Sequence, residues 1–293
     1  MKPLLQLLRP HQWIKNGFVF TGLLFVRGWN DPELLLQVVL AAAGFSLAAG
    51  GVYVLNDLAD REEDRRHPVK RSRALAAGRV STGSARLLAG GVVTAGLLLG
   101  YRVSLLAFLL LAGYLVLNLL YTRWLKRVVI LDVFVLASGF FLRILVGTVG
   151  VEIPPSKWLV LCGIMLALFL GFGKRQAELL EARDGKYQGR DVLSRYSEKL
   201  LDSLLAVTCG GVLITYALYT VDEGTVLQHH TTVLIYTVPV VAYGLFRYLY
   251  LIQRRELGQD SAQEVFKDSH LLATVLLWLA AVVFILNEGR PLT

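Results

Sequence analysis

The sequence predicts an all-α integral membrane protein of about nine transmembrane helices in one bundle, with its N-terminus in the cytosol. Two observations carry this: the blocking of apolar residues and the one-sided placement of basic ones. Hydrophobic residues fill 55% of 293 positions and charged residues 18%, against about 45–50% and about 25% in soluble domains. The apolar excess comes in blocks of roughly 17–25 residues, the length a helix needs to cross about 30 Å of hydrocarbon. Spanning strands would be shorter and would alternate in polarity.

In chain order the expected spans are roughly 14–30, 33–56, 82–100, 103–121, 129–150, 158–173, 199–220, 231–251 and 270–287. The first is short and is interrupted by Asn16, Gly17 and Arg27. No cleavable signal is expected, because Arg9-Pro10-His11 breaks the apolar stretch that follows Lys2. The chain reads as a single polytopic domain over 1–293, with polar connections at 56–82, 173–199 and 252–269. Of 30 Lys and Arg residues, 24 fall in the N-terminal segment and in alternate connections. That bias places those segments in the cytosol. The formal charge of +8 therefore serves topology and anionic lipid or substrate, and a nucleic-acid partner is not expected. Cys162 and Cys209 lie in apolar blocks and read as small core residues.

The chemistry concentrates where the second span ends, in Asn56-Asp57-Leu58-Ala59-Asp60-Arg61-Glu62-Glu63-Asp64. If the helix continues, Asp57, Asp60 and Asp64 share one stripe at i, i+3 and i+7, and Asn56 stands at i−4 from Asp60. Like charges so placed repel unless a cation sits among them. Oxygen-only donors favour a hard ion such as Mg²⁺, which commonly takes one or two carboxylates together with substrate phosphates. The bland alternative is a solvated helix end paired with Arg61, Arg65 and Arg66. Arg65, Lys70 and Arg73 follow in a dense basic run suited to a diphosphate.

These residues read N-D-x-x-D-x-x-x-D, then H-P-x-K-x-x-R and L-A-A-G, and they resemble the UbiA superfamily of membrane prenyltransferases. The usual arginine-proline after the loop is Arg73-Ala74 here. Prenyl-transferring members carry a second aspartate-rich motif after the sixth span. This chain has Gly173-Lys174-Arg175-Gln176-Ala177-Glu178 there, two consecutive cations in place of the expected carboxylates, which suits a direct cationic grip on a phosphate, with Glu178, Asp184 and Asp191 as the remaining acids. Arg9-Pro10-His11-Gln12-Trp13-Ile14-Lys15-Asn16, Leu131-Asp132-Val133, Gly139-Phe140 with Arg143, and Phe172 to Glu178 resemble the decaprenyl-phosphate phosphoribosyltransferase branch.

The resemblance implies Mg²⁺ and a diphosphate held by Asp57, Asp60 and Asp64. The diphosphate would belong to phosphoribosyl pyrophosphate (PRPP), the acceptor would be a polyprenyl phosphate, and the lipid-linked pentose would feed envelope glycan synthesis. The site would face the cytosol from a multi-pass protein of the cytoplasmic membrane, with homo-oligomerisation left open. The rival enzyme reading is transfer of an allylic chain from a prenyl diphosphate to an aromatic acceptor, and a transporter or lipid-binding protein is the rival from another class. Ionisable groups gather on one side, which argues against a polar path across the bilayer.

Further candidates for substrate contact are Lys15, Asn16, Tyr121, Lys126, Lys174, Arg175 and Glu178. Arg143 is mid-span, where an unpaired charge costs at least about 2.5–3.5 kcal/mol, so it should meet a substrate phosphate or a carboxylate, Asp132 among them. Asp260, Glu264 and Asp268 share a helix face before the last span and suit a second metal, ribose hydroxyls or plain solvent. His229 and His230 read as interfacial loop residues on the outer side.

Overall fold

The computed structural model describes residues 3–66, 70–183, 191–254 and 268–288. Among them the regular elements are all helical. Among the described residues eight helical stretches are long and apolar enough to cross a membrane, two of them together with an adjoining 3₁₀ turn. Their α-helices are α1 (Pro32–Ala59), α2 (Thr82–Val103), α3 (Leu105–Arg123), α4 (Leu131–Val146, in the stretch Leu131–Val151), α5 (Lys157–Arg183), α6 (Glu198–Val221), α7 (Val238–Gln253, in the stretch Val233–Gln253) and α8 (Ser269–Glu288). Large apolar side chains such as Leu87, Leu98, Val207, Ile214 and Phe284 lie exposed on their outer faces. In water such a surface would associate, whereas in lipid it is solvated.

The segment expected to form the first span takes another shape. Residues Pro10–Phe20 wind as a 3₁₀ helix, Thr21–Phe25 as one short α-turn, and Gly28–Asn30 as a further 3₁₀ turn. Arg9 and Arg27, at φ 48° and 54°, are left-handed. The physical reason is close backbone approach. A Cβ on Gly147 would stand 1.7 Å from the Val19 carbonyl oxygen, and one on Gly22 2.3 Å from the Gly147 carbonyl oxygen. Only glycine fits at either position.

The chain divides into two compact units. The first comprises Met1–Arg123 with Leu142–Pro154, and the second Trp124–Phe141 with Pro155–Thr293. In the first, Asp31 caps α1 by accepting from the Glu33 and Leu34 amides at 3.0 and 3.1 Å, with Pro32 at the first helical position. The 28 residues of α1 rise about 42 Å at about 1.5 Å each, more than the hydrocarbon needs, so its last turns project toward the aqueous edge. Helices α1 and α2 meet along small residues, with Gly44, Ala48 and Gly96 at the closest approach. Phe45, Val52, Leu111, Tyr114 and Val146 fill the core beside them. In the second unit, α5 packs on α6 and α7 on α8. Ser197 caps α6 by accepting from the Leu200 amide at 3.1 Å. Cys162 and Cys209 are buried free thiols in this unit, as expected.

Candidate active site

Helix α1 ends at Ala59, and a short helix, Arg61–Arg66, restarts after Asp60. Asp60 is the joint, at φ −91° and ψ 6°. Its amide still bonds the Asn56 carbonyl at 2.9 Å, and its own carbonyl accepts the Asp64 amide at 2.8 Å. The straight stripe expected from the sequence is therefore bent at its middle member. Asp57 and Asp64 nonetheless converge, and both are buried.

What they converge on is arginine. Arg73 Nη1 lies 3.2 Å from Asp57 Oδ1 and 2.8 Å from Asp64 Oδ2. Arg9 Nη2 lies 2.5 Å from the same Asp57 oxygen, and its guanidinium covers the Tyr53 ring at 5.2 Å. The loop that delivers Arg73 folds back because Ala74, Leu75 and Val80 pack with Leu7, Leu8 and Val54. Its turn closes through Gly78 at φ 70°, a conformation glycine adopts without strain. Arg65 pins the same loop, donating from Nε to the Ala76 carbonyl at 3.2 Å and from Nη1 to Glu62 at 3.0 Å. Lys70 opens the 3₁₀ turn Lys70–Ser72. Asn56 accepts from the Thr122 hydroxyl at 2.8 Å, which ties it to α3 one residue after Tyr121.

Among the described residues no three His, Cys, Asp or Glu side chains converge closely enough to enclose a metal. The expectation was of carboxylates that hold the ion together with substrate phosphates, and Asp57 and Asp64 are the two of the three that come together. The donors still suit a hard cation, since two buried carboxylates share one cation and all offer oxygen. Such an ion would complete its shell with oxygens from a ligand, as Mg²⁺ does with phosphates.

Deeper in the same unit, Arg143 is buried. Its Nε donates to Asn16 Oδ1 at 2.8 Å, and Asn16 donates onward to Ser46 at 2.8 Å. The guanidinium lies 4.7 Å from the Phe45 ring centroid and 5.6 Å from that of Tyr114. Asp132, the carboxylate considered for Arg143, is engaged by another arginine. Lys15 donates to Gln12 at 2.5 Å.

In the second unit, Arg175, expected to grip a phosphate, and Glu178, expected to contact substrate, lie together in a closed network. Arg175 is fully buried. Its Nε lies 2.5 Å from Asp132 Oδ2, and its Nη1 pairs with Glu178. Tyr196 donates its phenol to the other Asp132 oxygen at 2.6 Å. Lys174, one residue before Arg175, is half-buried, as is Lys126. Asp268 pairs with Arg247 at 2.7 Å. Its expected companions Asp260 and Glu264 lie outside the described residues, as do His67, Pro68, Val69, Asp184 and the Asp191 side chain. His229 is buried rather than interfacial, with its Nε2 3.3 Å from the Tyr219 phenol.

A model of the UbiA prenyltransferase family matches residues 17–269. The chain belongs to that family. It is thus a transferase and a multi-pass membrane protein. The decaprenyl-phosphate phosphoribosyltransferase of Mycolicibacterium smegmatis is 30% identical over 257 residues, covering 83% of this chain and 81% of that one. The protein of the same name in Mycobacterium tuberculosis is 33% identical over 220 residues, 74% of this chain and 73% of that one. A UbiA homolog from Archaeoglobus fulgidus solved bound to GPP and Mg²⁺ superposes with a TM-score of 0.71 at 16% identity. That alignment covers 97% of this chain and 99% of the other, and at such identity it shows the UbiA fold alone.

Two participants escaped the sequence reading. Arg9 stood in a recognised motif, but nothing in its spacing tied it to Asp57, 48 residues away. Tyr196 had no signal beyond being an aromatic residue beside a helix start.

Proposed function

We propose that this protein transfers 5-phosphoribosyl from PRPP to a polyprenyl phosphate of decaprenyl type, releasing pyrophosphate at the cytosolic face of the cytoplasmic membrane. The observation that carries the reading is the meeting of Asp57 and Asp64 on Arg73, with Arg9 behind. Paired carboxylates for a divalent ion stand beside arginines for phosphate oxygens in one small patch. Relatives named for this reaction, at about a third identity over most of the chain, support it.

In the reaction an acceptor phosphate oxygen forms a bond to C1 of the ribose as the bond from C1 to pyrophosphate breaks. The electron pair leaves with pyrophosphate, and no proton need move, since a phosphate monoester is already anionic at neutral pH. Asp57 and Asp64, with Asp60 and Asn56 beside them, would hold Mg²⁺. When bound, that ion neutralises charge on the leaving group. Arg9 and Arg73 exchange part of their carboxylate contact for phosphate, for which the planar guanidinium is suited. Arg65 fixes the loop that carries Arg73, and Lys70 adds positive charge to that loop. Tyr121, Lys15 and Asn16 extend the polar lining of the first unit, and Arg143 orders it from within. On the second unit, Lys126 and Lys174 are read as phosphate-binding cations, and Arg175 and Glu178 as their support. The product would be a lipid-linked pentose donor for envelope glycans.

The test is transfer of radiolabelled phosphoribosyl into the lipid phase by purified protein in detergent with Mg²⁺. Lipid-extractable label that disappears with EDTA is the expected result. Turnover of a prenyl diphosphate with an aromatic acid, and no labelled lipid, would replace this reading with ordinary prenyl transfer.

A further inference from the structure

The connection from Trp124 to Ile130 carries Lys126 and enters α4 through an unusual residue. Ile130 has φ 69°, the left-handed region that β-branched side chains rarely adopt. Its carbonyl starts the helix, accepting from the Val133 and Phe134 amides at 3.0 and 3.1 Å. Its own amide is left for a partner from outside the helix, and isoleucine has no side-chain group to cap with. Tyr196 supplies that partner: the Ile130 amide donates to the Tyr196 phenol oxygen at 2.6 Å. The phenol hydrogen goes to Asp132 Oδ1 at 2.6 Å, and Asp132 is held from its other oxygen by Arg175. One phenol thus accepts from the backbone and donates to a buried carboxylate. The 3₁₀ turn Leu125–Arg127 packs on the 3₁₀ turn Asp191–Arg195 that leads into Tyr196. Burial and the Asp132 contact push the Tyr196 phenol above its ordinary range, so it stays protonated and keeps donating at neutral pH.

We infer that Tyr196 is a positioning residue: through the Ile130 amide it holds the 124–130 connection, and with it Lys126, in the conformation that binds a substrate phosphate. The inference rests on the phosphate-transfer reading for what Lys126 binds, but not for the coupling of Tyr196 to Ile130. Glycine adopts a left-handed φ without strain, and valine does not. If Tyr196 acts by holding Ile130 there, a glycine at 130 relieves the loss of the phenol and a valine does not.

The experiment is a set of purified full-length variants: Tyr196→Phe, Ile130→Gly, Tyr196→Phe/Ile130→Gly and Tyr196→Phe/Ile130→Val. In the transfer assay Tyr196→Phe is expected to raise KM for PRPP about tenfold with a smaller change in kcat, as displacement of a binding group does. The glycine double variant recovers most of that loss and the valine double variant none, a coupling that independent sites would not show. An unchanged KM in Tyr196→Phe, or equal relief by glycine and valine, would overturn the inference. If Tyr196→Phe yields no folded protein, recovery of monodisperse protein by glycine but not valine is the supporting result. Failure of both to recover it counts against. A wild type that neither transfers label nor binds inorganic pyrophosphate would sink the functional reading alone. The thermal-stability pattern of the same four variants would still decide whether Tyr196 acts through Ile130.

Discussion

Arginines meet carboxylates in both units, and the two clusters differ in what they leave within reach. In the first unit Arg9 and Arg73 have side chains 26% and 32% exposed while they touch the buried Asp57 and Asp64. In the second, Arg175 and Asp132 are wholly buried and Glu178 nearly so. An ion pair whose cation still reaches solvent can trade partners at modest cost. A sealed pair cannot, because removing one member strands a charge in a low-dielectric interior. On the proposed function, the open cluster is the one that exchanges contacts with a ligand and the closed one holds helices in place. On that reading two arginines that look alike in a sequence of basic residues have opposite work.

The sharpest way to break this contrast is to delete one charge from each cluster. Arg175→Met should leave Asp132 and Glu178 buried without their cation, a loss of roughly 3–5 kcal/mol. Fluorescence-detected size-exclusion after heating should show it as collapsed or aggregated protein. Folded, merely slower Arg175→Met would mean the cluster is not structural and would restore the direct phosphate grip.

Asp64→Asn should do the reverse. It removes one of two mutually repelling carboxylates while keeping shape, so the melting temperature should move little. Transfer should fall on the order of 10²–10³-fold, the scale seen when one preorganised electrostatic contact is lost. A variant with near-normal turnover would remove Asp64 from the metal and diphosphate site.

Much of this was legible in the sequence, and the reasons for the misses are particular. Apolar blocks located α1 to α8 because length and hydropathy alone decide membrane spans. Over 14–30 the chain is helical but winds mostly as 3₁₀ rather than α-helix, and its glycines accommodate the Gly147 backbone, a detail that apolar content does not report. The spacing of the aspartates anticipated that Asp57 and Asp64 come together. Arg73 at their centre depends on the fold-back at Gly78, and Arg9 on a left-handed residue before Pro10, which no periodicity reports. Arg175 beside Lys174 looked like a second phosphate grip because its true partner, Asp132, lies 43 residues earlier. Long-range pairing is what a single sequence hides best.

A weaker effect separates charge from shape in the first unit. Arg143→Lys keeps the cation but loses the flat guanidinium that lies against Phe45 and Tyr114 and donates to Asn16. The expected cost is about 1–2 kcal/mol of stability, the scale of a desolvated cation–π contact, read as a lowered melting temperature with transfer largely retained. A collapse of transfer at unchanged stability would instead make Arg143 a substrate contact.

The smallest effect belongs to the Arg247–Asp268 pair at the start of α8, where water competes for both partners. The Arg247 hydrogen bond, reinforced by the Leu271 amide, holds the Asp268 carboxyl below its ordinary range. A depressed carboxyl adds stability above the ordinary carboxylate pKa and loses it as pH falls through the depressed value. The difference in melting temperature between wild type and Asp268→Asn should therefore be small and flat from pH 8 to pH 5, shrinking only in stronger acid. A large difference that changed across neutral pH would mean that Asp268 belongs to a functional cluster rather than to the surface. The face it was expected to share with Asp260 and Glu264 would then be the next place to look for a ligand.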